Sequence, residues 1–165
     1  MTVYDDIKAY HEIHGDDINP GRGKTIRYEA ALSLFPRTYD SLLDCGCGTG
    51  GFKQWWGGTA KYTGIDLLNG INVLDYNVHH DVVIALGMLY LAPPEEQLKL
   101  IEHMWGIADK ALIVQTLTTV STEGEYGISR VRLAQIGHEL SKQFVVKADY
   151  WDTDGTLALY RQQWT

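Results

Sequence analysis

Residues 42 to 51 read LLDCGCGTGG, an apolar run that breaks into four glycines within six residues. Such a passage is a buried strand ending in a tight turn, and in an open α/β sheet that turn lies where the ligand crevice opens. Glycines there let a ligand lie against the backbone. About twenty residues further on, KYTGID predicts a second strand ending in Asp66, whose carboxylate is positioned to accept hydrogen bonds from the two hydroxyls of a ribose. Turn and acid together indicate a nucleoside-containing ligand.

Outward from this stretch, short apolar runs alternate with helical periods from residue 41 onward, the pattern of an α/β fold. Strands are predicted at 41–45, 61–66, 71–74, 81–86 and 111–117. A short helix fits 52–56, and a longer one starts after Pro93 and Pro94, where Glu95 and Glu96 suit its positive end and Leu98, Ile101 and Trp105 share a face. TTVSTEGEYG at 118–127 reads as a loop, followed by a helix near 129–142. The alternation of Phe144, Val146 and Ala148 up to Trp151, the turn DTDG and the run from Thr156 to Arg161 predict a terminal antiparallel hairpin. Ahead of the first strand, Thr2 opens one helix carrying Val3, Ile7 and Tyr10. After the break HGDDINPGRG, Thr25 caps a second helix carrying Ile26, Ala30, Ala31, Leu34 and Phe35. The expected organisation is one domain over 1–165, with an N-terminal helical lid at 1–36 and a sheet core at 41–165.

Composition agrees with a folded domain: 45% of the 165 residues are hydrophobic, 21% are charged, and only 4 are proline. Lys and Arg number 14 against 21 Asp and Glu, and the net charge of −7 disfavours a nucleic-acid partner. The basic group of Arg22, Lys24, Arg27 and Arg37 reads as a solvated segment. MTVYDDIKAY places acids where a signal peptide needs a basic start, and no apolar run approaches the ~18 residues of a membrane helix, so a cytoplasmic protein without a membrane partner is expected. Cys45 and Cys47, one residue apart, read as reduced thiols, too close for an unstrained disulfide and too few for a zinc site.

The nature of the ligand turns on Asp44. Gly46, Gly48 and Gly51 also satisfy the spacing of dinucleotide-binding turns. A carboxylate two residues before the first glycine, however, would repel a docked pyrophosphate and favour a cation. S-adenosylmethionine carries an ammonium and a sulfonium and no phosphate. Through D-C-G-C-G-T-G at 44–50, G-I-D-L at 64–67, V-L-D-Y at 73–76 and the strand beginning at Asp81, the chain resembles the class I S-adenosylmethionine-dependent methyltransferases over residues 41–117. The resemblance implies a Rossmann-like, mostly parallel seven-stranded sheet with an antiparallel strand in the C-terminal hairpin. It also implies that Asp44 with Gly46, Cys47, Gly48 and Gly50 faces the methionine end of the cofactor, that Asp66 and Leu67 lie at the ribose, that Asp75 and Tyr76 flank the adenine, and that the backbone of Leu86 and Gly87 completes the pocket. One departure is visible: only Leu67 to Gly70 separate Asp66 from Ile71, where the family has a full helix, and this removes a wall beside the adenine.

Methyl transfer needs an acceptor aligned with the sulfonium carbon in a water-poor site, and a base only if the acceptor must lose a proton. Segments that can cover the crevice supply the candidates: His11 as a base, with His14 as its neighbour, and Tyr90 in the acceptor pocket beside Tyr10 and Tyr28. His11 and His14 lack a third ligand, so no metal is expected. Cys45 and Cys47 have no paired base and read as small turn residues. His79 and His80, adjacent before a strand, point to opposite faces. Trp55, Trp56 and Trp105 read as packing residues. The expected activity is O- or N-methylation of a small molecule; the alternative is a catalytically silent cofactor-binding partner or sensor with the same fold. Oligomeric state is not legible in the sequence.

Overall fold

A computed structural model describes residues 22–89, 92–117, 128–148 and 154–162. The predicted first helix, with His11, His14 and Tyr10, lies outside them, as do Tyr90 and the loop 118–127. Helix α1 spans Arg22–Leu32, so it begins three residues ahead of Thr25, the expected cap. Gly23 weakens the first turn by about 1 kcal/mol without stopping it.

The sheet contains strands β1 (Ser41–Cys45), β2 (Lys61–Ile65), β3 (His80–Leu86), β4 (Ala108–Leu117), β5 (Gln143–Ala148) and β6 (Asp154–Tyr160). Helix α2 (Gly51–Trp56) follows β1, α3 (Pro94–Gly106) joins β3 to β4, and α4 (Arg130–Leu140) precedes β5. The order across the sheet is β2-β1-β3-β4-β6-β5. β1 to β4 are parallel, and β6 runs antiparallel between β4 and β5, as the predicted hairpin requires.

Strand alternation sends side chains to two cores. Leu42, Val82, Ile84, Ala111 and Ile113 face α1 and α2, meeting Ala31, Leu34 and Phe52. Leu43, Val83, Ala85, Leu112 and Val114 face α3 and α4, meeting Ile101, Met104, Leu133 and Ile136. The chain leaves β1 for β2 on one side and enters β3 on the other, so the strand order reverses between β1 and β3. Their carboxyl ends therefore form the crevice of a doubly wound sheet.

Two expectations are corrected. The segment 71–74 is no strand: Val73–Asp75 form a 3-10 turn capped by the Asn72 side chain, which accepts from Leu74 N at 3.0 Å. Of its apolar residues only Val73 is buried, while Ile71 and Leu74 are 37% and 38% exposed, which is not the alternation of a pleated strand. The sheet accordingly has six strands among the described residues, not seven, and β2 is its edge.

Candidate active site

The site is built at the C-terminal ends of β1, β2 and β3. Gly46, the first residue past β1, has φ of +75°, and a Cβ added there would lie 2.6 Å from Met88 Cβ. Only glycine permits both the left-handed backbone and this approach of the β3 exit to the turn. Gly46 N and Cys47 N both donate to Ile65 O, at 2.8 and 3.1 Å, tying the turn to the end of β2. At Gly48 the opposite holds: φ is +54°, and an added Cβ would meet nothing within 4 Å, so the outer side of the turn is open.

Asp66 closes the turn. Its Oδ2 accepts from Gly48 N at 2.9 Å and its Oδ1 from Leu68 N at 2.8 Å, the latter capping the 3-10 turn Leu67–Asn69. A carboxylate has about four lone-pair sites, so each oxygen keeps capacity for a further donor. The side chain is 8% exposed.

Asp44 is buried more deeply, at 3% exposure, on the face of β1 toward α1 and α2. Its Oδ2 accepts from the Tyr62 hydroxyl at 2.6 Å, and among the described residues Oδ1 accepts no hydrogen bond. Burial pushes its carboxyl from the ordinary 3.8 up to about 6; the Tyr62 bond opposes this, and the Asp66 charge adds to it. At neutral pH Asp44 is therefore mostly ionised and held beside a second carboxylate, an arrangement that attracts a cation.

Tyr62 and Gly64 were not singled out from the sequence. In the parallel register Asp44 pairs with Gly64 and Leu42 with Tyr62, so Tyr62 lies on the Asp44 face. Its ring lies across Gly64, where an added Cβ would sit 3.1 Å from Tyr62 Cε1 and 2.9 Å from Cys47 Sγ. The registration of SLLDC against KYTGI was the signal that could have found both.

The structure gathers Asp44, Gly46, Cys47, Gly48, Gly50, Asp66, Leu67, Leu86 and Gly87 at this end of the sheet. Gly87 N is held by Gln115 O at 3.0 Å. Asp75 ends the 3-10 turn Val73–Asp75, and Tyr76 follows as its C-terminal cap. The Tyr76 hydroxyl bonds His80 Nε2 at 2.9 Å, and Tyr76 O bonds His103 Nε2 at 2.7 Å. His80 opens β3 beside Ala108, and Tyr76 also packs against the core cluster that contains Cys45 and Ile65.

The thiols stay protonated. Burial raises Cys45, with Asp44 adding, and pushes Cys47 up to about 11, with Asp44 and Asp66 adding. Neither is an activated nucleophile. His79 pairs with Asp109 at 2.8 Å on the surface while His80 is buried, so they form no joint site. Among the described residues no cluster of three or more His, Cys, Asp or Glu is arranged for a metal. No helix there is long and apolar enough to cross a membrane. Trp105 packs under the Arg161 guanidinium, 3.7 Å from the ring centroid, and Trp55 and Trp56 pack on Phe52, as their helical spacing predicted.

Solved structures match nearly the whole chain. Magnesium protoporphyrin IX methyltransferase (ChlM) from Synechocystis PCC 6803 with bound SAM is 14% identical, with 98% of each chain covered and a TM-score of 0.62. DhpI in complex with SAH is 12% identical over 94% of this chain and 95% of that one, with a TM-score of 0.68. The small RNA methyltransferase HEN1 is 12% identical over 89% of this chain and 26% of that one, with a TM-score of 0.65. No protein-family model and no curated protein sequence matches the chain. The fold is thus that of the class I S-adenosylmethionine-dependent methyltransferases, with a six-stranded sheet among the described residues.

Proposed function

We propose that this chain is an S-adenosylmethionine-dependent methyltransferase that methylates oxygen or nitrogen of a small-molecule acceptor. The observation that carries the reading is the pair of buried carboxylates, Asp44 and Asp66, flanking a glycine turn whose outer side is open. The residues present fit the cofactor: a cationic methionine end suits Asp44, and a ribose suits the lone pairs left on Asp66. A pyrophosphate docked at the turn would meet the Asp44 charge, which argues against a dinucleotide.

When bound, S-adenosylmethionine supplies an electrophilic methyl group on its sulfonium. Asp44 binds and orients the cationic end, Asp66 and the backbone near Leu67 hold the ribose, and Leu86, Gly87 and Met88 form the floor of the crevice. Asp75 and Tyr76 remain the candidates beside the adenine. His11 and Tyr90 remain the candidates for a base and an acceptor contact. The net charge of −7 supports a small acceptor over a polyanion, although a fold shared with a small RNA methyltransferase leaves nucleic acid open.

A second reading, a cofactor-binding partner or sensor without turnover, is favoured by the shortened passage from β2 to β3, which holds two 3-10 turns and no α-helix. Calorimetry with S-adenosylmethionine and with NAD, followed by assay of S-adenosylhomocysteine across an acceptor panel, tests these alternatives. Binding of the methyl donor with accumulation of S-adenosylhomocysteine is expected. Binding without turnover selects the silent protein, and NAD binding without response to the methyl donor rejects both.

A further inference from the structure

Tyr62 stands apart from the residues that the glycine turn and Asp66 make obvious, yet it makes the one hydrogen bond to the Asp44 carboxylate among the described residues. We propose that Tyr62 is a positioning residue of the cofactor site, holding Asp44 Oδ2 so that Oδ1 is presented to the cationic end of the ligand. The inference rests on the proposed cofactor reading and adds to it a residue that never touches the reacting atoms.

The construction around this bond is specific. Gly64, directly opposite Asp44 in the β1–β2 register, lets the tyrosine ring cross to the carboxylate. On its far side the ring is braced by Trp56, with centroids 6.2 Å apart, and the Lys53 ammonium stands 5.3 Å from its centroid. Two residues of α2 thus hold the ring while its hydroxyl holds the acid. A 2.6 Å bond from a neutral hydroxyl to a carboxylate is short and charge-assisted, and it strengthens as the acid ionises. Tyr62 therefore favours the anionic form of Asp44, the form a cation requires.

The ionisable groups around this pair are known. Cys45 lies on the same strand, Cys47 in the turn, Asp66 at the end of β2, Tyr28 on α1 and Lys53 on α2. Both thiols and the Tyr62 hydroxyl are held in their neutral forms, with Tyr62 raised by burial and by the Asp44 charge. Asp44, with its carboxyl raised to about 6, therefore titrates between pH 5 and 8.

The test compares wild type, Tyr62→Phe, Asp44→Asn and the double variant, with two readouts: the Asp44 carboxyl carbon followed by NMR in the ligand-free protein, and calorimetric affinity for S-adenosylmethionine at pH 6 and pH 8. The Asp44 midpoint should rise in Tyr62→Phe. A rise of one unit makes the affinity loss at pH 6 about fivefold greater than at pH 8, since only the ionised acid binds well. In the Asp44→Asn background, Tyr62→Phe should change affinity by less than about twofold. An unchanged Asp44 titration, or an equal loss at both pH values, overturns the positioning role while leaving the cofactor reading intact. A wild type that binds no S-adenosylmethionine removes the cofactor reading and this role with it.

Discussion

Replacing Asp44 by Asn should make the ligand-free protein more stable while weakening cofactor binding. The folded protein holds the carboxyl at about 6 against 3.8 for the free side chain, so ionising it in place costs about 3 kcal/mol. Because the folded-state pKa is raised, the stabilisation linked to this group is fully present below pH 3.8 and is lost as pH rises through about 6. Asn has the same shape, still accepts from the Tyr62 hydroxyl and carries no charge, so at pH 7 it avoids that cost. The variant should gain about 2 to 3 kcal/mol in urea unfolding at pH 7 and almost nothing at pH 3.5, with an unchanged denaturant slope. Its affinity for S-adenosylmethionine should fall together with that gain, the pattern of a site that trades stability for charge. A variant no more stable than wild type at pH 7, or a gain of equal size at both pH values, would refute the reasoning.

Other expectations follow from the same geometry. Asp66→Ala removes the acceptor of Gly48 N and Leu68 N, and should weaken cofactor binding by about 1.5 to 3 kcal/mol; unchanged affinity in calorimetry would remove Asp66 from the site. Gly46→Ala combines a left-handed backbone with a 2.6 Å clash on Met88, so thermal unfolding should report a loss of about 2 to 4 kcal/mol. Cys47, with its thiol pushed up to about 11, should react with iodoacetamide more slowly than a free thiol at pH 8, and Cys47→Ser should retain turnover; a fast-reacting Cys47 would contradict its assigned environment.

Much of the fold was legible because its signals are local. The run SLLDC gave β1 at its observed bounds, Pro94 with Glu95 and Glu96 marked the start of α3, and the two strands expected around DTDG do pair, with β6 starting inside that stretch at Asp154. The segment INVL was misread because four apolar letters cannot distinguish a strand from a capped turn. Asn72, whose side chain takes Leu74 N, decided for the turn. Asp44, Asp66 and the glycines were readable through spacing along the chain. Tyr62 was not, because its meaning depends on the register between two strands, in which Gly64 lets the ring cross to Asp44. The residues that would complete the acceptor side, His11 and Tyr90, lie outside the described residues.

The central claim is that a buried carboxylate at the end of β1 receives the cationic end of an adenosyl ligand. Calorimetry of S-adenosylmethionine binding at pH 6, repeated in buffers of different ionisation enthalpy, measures it through the proton. An acid titrating at about 6 should release roughly half a proton per ligand bound in wild type and none in Asp44→Asn. Absence of binding, or the same proton release from both proteins, would contradict the claim.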